Sequence, residues 1–390
     1  VAEGIDLRMT DIGHLLGSAA IELWLTEGEV TKKIVFSGDV GNTNQPLIND
    51  PQPVDEADYL VIESTYGNRL HEARRGDVVM ELAGCIQRAF DRGGNVVIPS
   101  FAVGRTQEML YVIREIKQRG LVKGHDSFPV YVDSPLAVEA TGIYLQVDYS
   151  FFDPDTMAVV RQGVNPIWSD GVQLSVTADE SKQINVDKRP KVILSASGMC
   201  EAGRIRHHLK HNLWRSESII LFVGYQAVGS MGRKLQDGAK SVKLFGEEIA
   251  VNAEIATLHG TSGHADQQGL LNWLHAFQKK PGMVFVNHGD DECVEAFRAL
   301  LDSQGYYAEA PYSGTEFDLL TGKLVTYTEG KPIDRAAAYK GGQRAKQVYD
   351  ELVAAAEELL RLVKTRRGNT NKDNAKLTDQ IRSLIKKWKA

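Results

Sequence analysis

Cysteine is scarce in this chain, and what there is stands apart: Cys85, Cys200 and Cys293 are odd in number and far from one another. That pattern excludes a disulfide framework and a paired-thiolate zinc site, and it fits free thiols in a reducing cytoplasm. Long apolar runs are missing as well. No stretch approaches the roughly 20 residues that cross a bilayer, and the opening residues lack a basic region followed by an apolar one, so no membrane association is expected. Positive charge is also in deficit, since 45 Lys and Arg face 51 Asp and Glu for a net charge of −6, unlike a protein that holds nucleic acid by bulk charge. The deficit is uneven. Between residues 361 and 390 ten Lys or Arg face two Asp, a net of +8, which leaves −14 for residues 1–360. Any nucleic-acid contact in the body must therefore be made in a local groove.

With 390 residues of which 43% are hydrophobic, the chain is long enough for two cores and an appendage. Its centre of gravity is the stretch from Ile34 to Gly67, where the apolar runs Ile34-Val35-Phe36 and Tyr59-Leu60-Val61-Ile62 each lead into a loop bearing a carboxylate, Asp39 or Glu63. Such runs read as buried strands, and loops at the carboxyl ends of strands collect ligands and metals. Alone, Asp39 reads as a turn residue and Glu63 as a helix cap. Their company changes the reading. His14 lies between glycines before an alternating run, His264 sits in Thr-Ser-Gly-His-Ala-Asp, and His288 follows the apolar run from Met283 to Val286. Three histidines and two carboxylates, each at a strand end or in a glycine-flanked loop, suit a divalent-metal hydrolase.

Helical patterns at 78–89 and 106–118 alternate with strand patterns at 94–100, 129–132, 191–194 and 218–223, which implies right-handed crossovers and a parallel sheet. The candidate ligands flank this region in sequence, so it is expected to be a second α/β domain at 68–244 inserted into a first domain made of 1–67 and 245–330, with the site in the cleft between them. Strand-end serines Ser100, Ser134 and Ser197, with Arg105 and Arg204, would offer hydroxyls, N–H groups and guanidinium to a phosphate. The competing reading for each serine is a helix cap. His207, His208 and His211 make an HHxxH cluster without the acidic partner of a zinc helix, and read as a surface or RNA-facing group. Residues 317–327 read as a closing strand pair. In the tail at 331–390, Val348, Leu352, Ala355, Leu359 and Leu362 share one helical face and Leu377, Ile381, Leu384, Ile385 and Trp388 another, with a break at 368–374. A basic helical hairpin results, suited to homodimerisation or to RNA contact.

These segments, together with PSFAVGRTQE at 99–108, VDSPLA at 132–137, SASGM at 195–199 and VGYQAVGSMGR at 223–233, resemble the metallo-β-lactamase-fold nucleases of the β-CASP group, which include RNase J and the endonuclease that cleaves messenger-RNA precursors. The resemblance implies an αββα metallo-β-lactamase sandwich with an inserted parallel-sheet β-CASP domain and a helical tail. It implies His14 and His288 as metal ligands, Asp39 as a bridge between two zinc ions, and His264, supported by Glu63, as proton donor to the leaving group during hydrolysis of an RNA phosphodiester bond. One departure stands out. The group's HxHxDH motif, which lies before the GHxxGS segment and feeds both ions, does not occur, and the chain opens at Val1. An amino-terminal segment completing the metal site is therefore expected to be absent from the residues given. Two other readings compete: a non-catalytic RNA-binding or scaffold protein, if the chain is complete, and a hydrolase of small molecules on the same fold.

Overall fold

Three strands, β1 (Ile5–Asp11), β2 (Ala19–Glu27) and β3 (Val30–Phe36), form an antiparallel meander, and β4 (Tyr59–Ile62) then lies parallel to β3. Glu22 fastens the meander. Its carboxylate is fully buried and takes Arg8 of β1 and Lys33 of β3 at 2.7 Å each. Burial raises its pKa, but hydrogen bonds from Arg8, Lys33 and Thr10 prevail and hold it at about 2.

The computed structural model describes residues 1–71, 77–258, 260, 262–331, 355–356, 359–365 and 370–388. After β4 the chain alternates: α1 (Val78–Asp91), β5 (Val96–Pro99), α2 (Arg105–Gln118), β6 (Val130–Asp133), α3 (Pro135–Tyr144), α4 (Pro154–Arg161), β7 (Val172–Ser175) and α5 (Ala178–Val186). It continues with β8 (Val192–Ser195), α6 (Ile205–Asn212), β9 (Ile219–Phe222), α7 (Met231–Gln236), the hairpin β10 (Ser241–Leu244) and β11 (Glu247–Ala250), and β12 (Glu254–Thr257). Six of these strands form one sheet in the order β12-β9-β5-β8-β6-β7, every pair parallel. Every residue of β5, β6, β8 and β9 is buried, because helices cover both faces. One face carries the core of Ile86, Met109, Ile113 and Leu194, the other that of Ile193, Leu209, Phe222 and Leu235.

The chain then returns to the first sheet through α8 (Gln267–His275), β13 (Met283–Val286), α9 (Asp291–Ser303) and β14 (Ala308–Glu309), completing the order β1-β2-β3-β4-β13-β14. The return comes later than the boundary at 244 and 245: β12 pairs with β9, so the second sheet extends to Thr257. After β9 the chain passes through α7 and then the β10–β11 hairpin before β12, so the last strand does not directly follow its helix. The closing pair is β15 (Glu316–Asp318) and β16 (Lys323–Thr326), tied back by Tyr59 Oη donating to Leu319 O at 2.7 Å.

Residues Val1–Tyr327 make one compact unit and Thr328–Ala390 a second. In the second, residues 359–365 are helical and α10 spans Asn371–Trp388. Val348 and Leu352 of the expected first tail helix lie outside the described residues. No helix among the described residues is long and apolar enough to cross a membrane.

Candidate functional site

Parallel pairing of β3 with β4 and of β4 with β13 sets three carboxyl ends side by side, and the loops that leave them carry Asp39, Glu63 and His288. The loop after β3 is the hub. Gly41 N–H donates to Ile12 O at 2.9 Å, Asn42 N–H to Gly263 O at 2.9 Å, and Val40 O accepts from Ala265 N–H at 2.7 Å. It therefore holds the His14 loop on one side and the His264 loop on the other. Only glycine fits at 41, since a Cβ there would stand 2.2 Å from His14 N.

Four side chains converge on this hub. His14 Nε2 lies 3.7 Å from Asp39 Oδ2, and His288 Nε2 lies 3.6 Å from Asp39 Oδ1. The rings of His14 and His264 are 4.4 Å apart. His14, Asp39 and His264 bring donor atoms within 4.8 Å of one another, the one grouping of its kind among the described residues. His264 Nδ1 is hydrogen-bonded to Glu63 Oε1 at 3.1 Å. Glu63 is itself buried and fixed, accepting from Val40 N–H at 2.6 Å and Thr65 N–H at 3.2 Å. These contacts set protonation. Burial opposes charge on His264, but the Glu63 hydrogen bond and the charges of Glu63 and Asp39 outweigh it and raise the imidazole above its ordinary value. Burial and the neighbouring His264 push His14 the other way, towards the neutral form a metal ligand needs. His14 Nδ1 is buried with no hydrogen-bond partner among the described residues, and His14 and His288 facing the Asp39 carboxylate are imidazole and carboxylate donors that zinc accepts. The residues fit such an ion.

A cleft of about 510 Å³ opens beside these groups and is lined from both sheets: His14, Tyr66 and His264 from the first, Phe101, Arg105, Leu136, Met199 and Tyr225 from the second. The remaining residues singled out from the sequence take different places. Arg105 lines the cleft and is ion-paired with Glu108. Ser197 Oγ is half-buried against Ala202 O at 3.2 Å. Ser100 is buried and exchanges a 2.8 Å hydrogen bond with Thr106, and Ser134 caps α3 by accepting from Ala137 N–H. Arg204 is committed to Asp133 Oδ1 at 2.7 Å and to the carbonyls of Ser175 and Val176. The HHxxH cluster divides, because His207 and His211 are exposed whereas His208 is fully buried, 2.6 Å from Asp133 Oδ2. A helix turns its fourth residue inward, so a surface reading of all three does not hold for His208.

Sequence reasoning passed over three residues. His71 Nε2 meets His264 O at 2.8 Å and its ring packs 4.5 Å from Tyr66. Phe101 and Tyr225 are 48% and 51% exposed at the cleft. The sequence offered only that an aromatic stands in each of two strand-end segments, Pro-Ser-Phe-Ala and Val-Gly-Tyr-Gln.

Comparison with known proteins adds to this geometry. The Beta-Casp domain family matches residues 106–235, the family described as the Zn-dependent metallo-hydrolase RNA specificity domain matches 248–311, and the MukE-like family matches 310–390. The chain is 37% identical over 303 residues to Ribonuclease TTHA0252 of Thermus thermophilus, covering 77% of this chain and 66% of that protein. It is 32% identical over 292 residues to an RNase J-like protein of Methanocaldococcus jannaschii, covering 74% and 65%. Against Transcription termination factor FttA of Methanosarcina mazei it is 31% identical over 304 residues, covering 76% and 47%. The chain thus spans between about half and just under two thirds of the length of these relatives.

Proposed function

Because the chain belongs to the β-CASP family of metallo-β-lactamase-fold proteins, we propose that it is a zinc-dependent ribonuclease that hydrolyses RNA phosphodiester bonds in the cleft between its two sheets. One observation carries the reading: two imidazoles face the two oxygens of one carboxylate at 3.7 and 3.6 Å, beside a histidine bonded to a buried glutamate. Those separations are long for hydrogen bonds and suit ligands that share an ion, since metal–ligand bonds of about 2 Å put two ligands of a tetrahedral ion roughly 3.3 Å apart.

His14 and His288, each facing a different oxygen of Asp39, would hold metal together with that carboxylate. When bound, zinc lowers the pKa of a coordinated water and neutralises charge on the phosphate. His264 keeps Nε2 free while Glu63 holds Nδ1, so it can pass a proton from Nε2 to the departing oxygen. Glu63 orients the ring and favours its protonated form. Phe101 and Tyr225 would stack on bases, Arg105 and Ser197 would meet phosphate, and Ser100, Ser134 and Arg204 would act by holding the strand ends in place.

The reading is tested by incubating zinc-loaded protein with labelled single-stranded RNA, with and without a chelator. Cleavage that the chelator abolishes is expected. RNA that is bound and never cut by the loaded protein would overturn catalysis and favour RNA binding alone.

A further inference from the structure

Between α5 and α6 lies a groove of about 600 Å³ that shares no lining residue with the cleft. Lys182, Lys188, Arg204, His207 and His211 line it, and no carboxylate does among the described residues. Lys188 is exposed and has no ion pair among the described residues. Lys182 pairs with Asp179 at 2.8 Å, both of them on the surface, a contact worth little in water. Asp187, the neighbour of Lys188, is taken by Arg189 at 2.9 Å.

Beside the groove stands an aromatic residue that the fold does not call for. His207 stacks on Phe245 with ring centroids 4.3 Å apart, and the Arg206 guanidinium lies 5.1 Å over the same ring. Phe245 tips the β10–β11 hairpin, is 46% exposed, and has φ +51 with Gly246 at φ +83. Two successive left-handed residues make the tight hairpin turn that asks for Asn-Gly, and an aromatic side chain is disfavoured at its first position. The hairpin's own burial is met by Val242 and Leu244. It is fastened to α6 by Lys210 and Glu247 at 2.7 Å, and Arg206 Nε is buried with no hydrogen-bond partner among the described residues.

We propose that this groove and the Phe245 ring form a second contact site for single-stranded RNA, in which the ring stacks on a base while Lys182 and Lys188 hold the adjoining phosphates. The inference rests on the RNA reading above and extends it. The turn from β6 into α3 serves both places: Asp133, the last residue of β6, grips Arg204 in the groove, and Leu136 in the first turn of α3 lines the cleft. An exposed ring beside solvent-exposed lysines is the combination that binds single strands without sequence preference. An acidic polypeptide would use the lysines and leave the ring idle.

The test compares the full chain with Phe245→Asn and Lys188→Glu, reading the anisotropy of labelled oligouridylates of about 6 and about 24 nucleotides. Asn suits the turn better than Phe, so the first variant is expected to keep or raise Tm. Each variant should weaken binding of the long oligonucleotide by about five- to tenfold and leave binding of the short one, which the cleft alone accommodates, unchanged. Wild-type affinity for the long oligonucleotide in both variants would overturn the groove and leave the RNA reading standing. Weakening by Lys188→Glu alone, with polyglutamate displacing the RNA, would also overturn the proposal and reassign the groove to an acidic polypeptide. Failure of the wild type to bind either oligonucleotide would overturn this inference and the RNA reading together.

Discussion

His14 and His288 both adopt left-handed backbone conformations, with φ of +58 and +48, which non-glycine residues avoid unless surrounding contacts impose them. The imposing contacts are visible. Gly41 presses on the His14 backbone, and Ser64 N–H donates to His288 O at 3.1 Å. The roles of these residues separate by metal content. Asp39→Ala should strip zinc, whereas His264→Ala should keep it and slow cleavage by about two to four orders of magnitude, the usual worth of a general acid. Zinc lost on changing His264 would make that histidine a ligand. Glu63→Gln should also keep zinc. If His264 acts when protonated, as proposed, then because Glu63 raises its pKa the loss of activity on the alkaline side should move to lower pH in this variant, as a pH–rate profile would record. The convergence of Asp39, Glu63, His14, His264 and His288 was legible because each follows an apolar run or sits among glycines. Phe101, Tyr225 and His71 were not, since exposure at a cleft and contact with a distant carbonyl exist only after folding. The serines were ambiguous for a related reason, as the same residue type caps a helix or meets a phosphate.

The alternation of apolar runs with amphipathic segments made the parallel sheet readable, and the helices at 78–91 and 105–118 lie within two residues of the pattern. The sheet's far edge escaped because β12 has only half-buried residues and the β10–β11 hairpin separates it from α7. The end of β6 also hides something periodicity cannot give, the buried cluster of Asp133, Arg204, His208 and Ser181 that joins β6, α5 and α6. Burial raises the Asp133 pKa, but hydrogen bonds from His208 and Ser181 prevail and hold it at about 2, against an ordinary 3.8. A depressed carboxyl stabilises the fold above its unfolded value, and that stabilisation is lost as pH falls through the folded one. Between about pH 4 and pH 2 the protein should therefore lose this contribution. Asp133→Asn should lower stability at neutral pH by about 3 kcal/mol, the low end for breaking a buried pair, and show a shallower decline with acid. Urea midpoints at several pH values would report both effects, and equal slopes for the two proteins would assign the acid sensitivity elsewhere, with buried Glu22 the next candidate.

Over the whole molecule, charge is partitioned, with the positive excess confined to residues 361–390. In α10 Leu377 and Ile381 are half-buried, while Leu384 and Ile385 are 54% and 53% exposed. An apolar stripe with that much solvent exposure favours pairing with a second copy, so removing residues 361–390 should halve the mass in solution and leave the salt dependence of RNA binding nearly unchanged. A flatter salt slope at constant mass would instead give the tail a phosphate-binding role, since each lost contact removes roughly one unit. The loop after β3 has a further consequence, one of timing. Val40 and Asn42 bond to Ala265 and Gly263, so their partners leave the ribosome more than 200 residues later, on the order of tens of seconds at ordinary elongation rates. The second sheet is complete at Thr257 and can begin to fold before those partners emerge. The nascent protein is thus built with the loop after β3 open until the intervening body has been made, and a ribosome-stalled chain ending before residue 262 should carry Val40 and Asn42 without the partners that hold that loop.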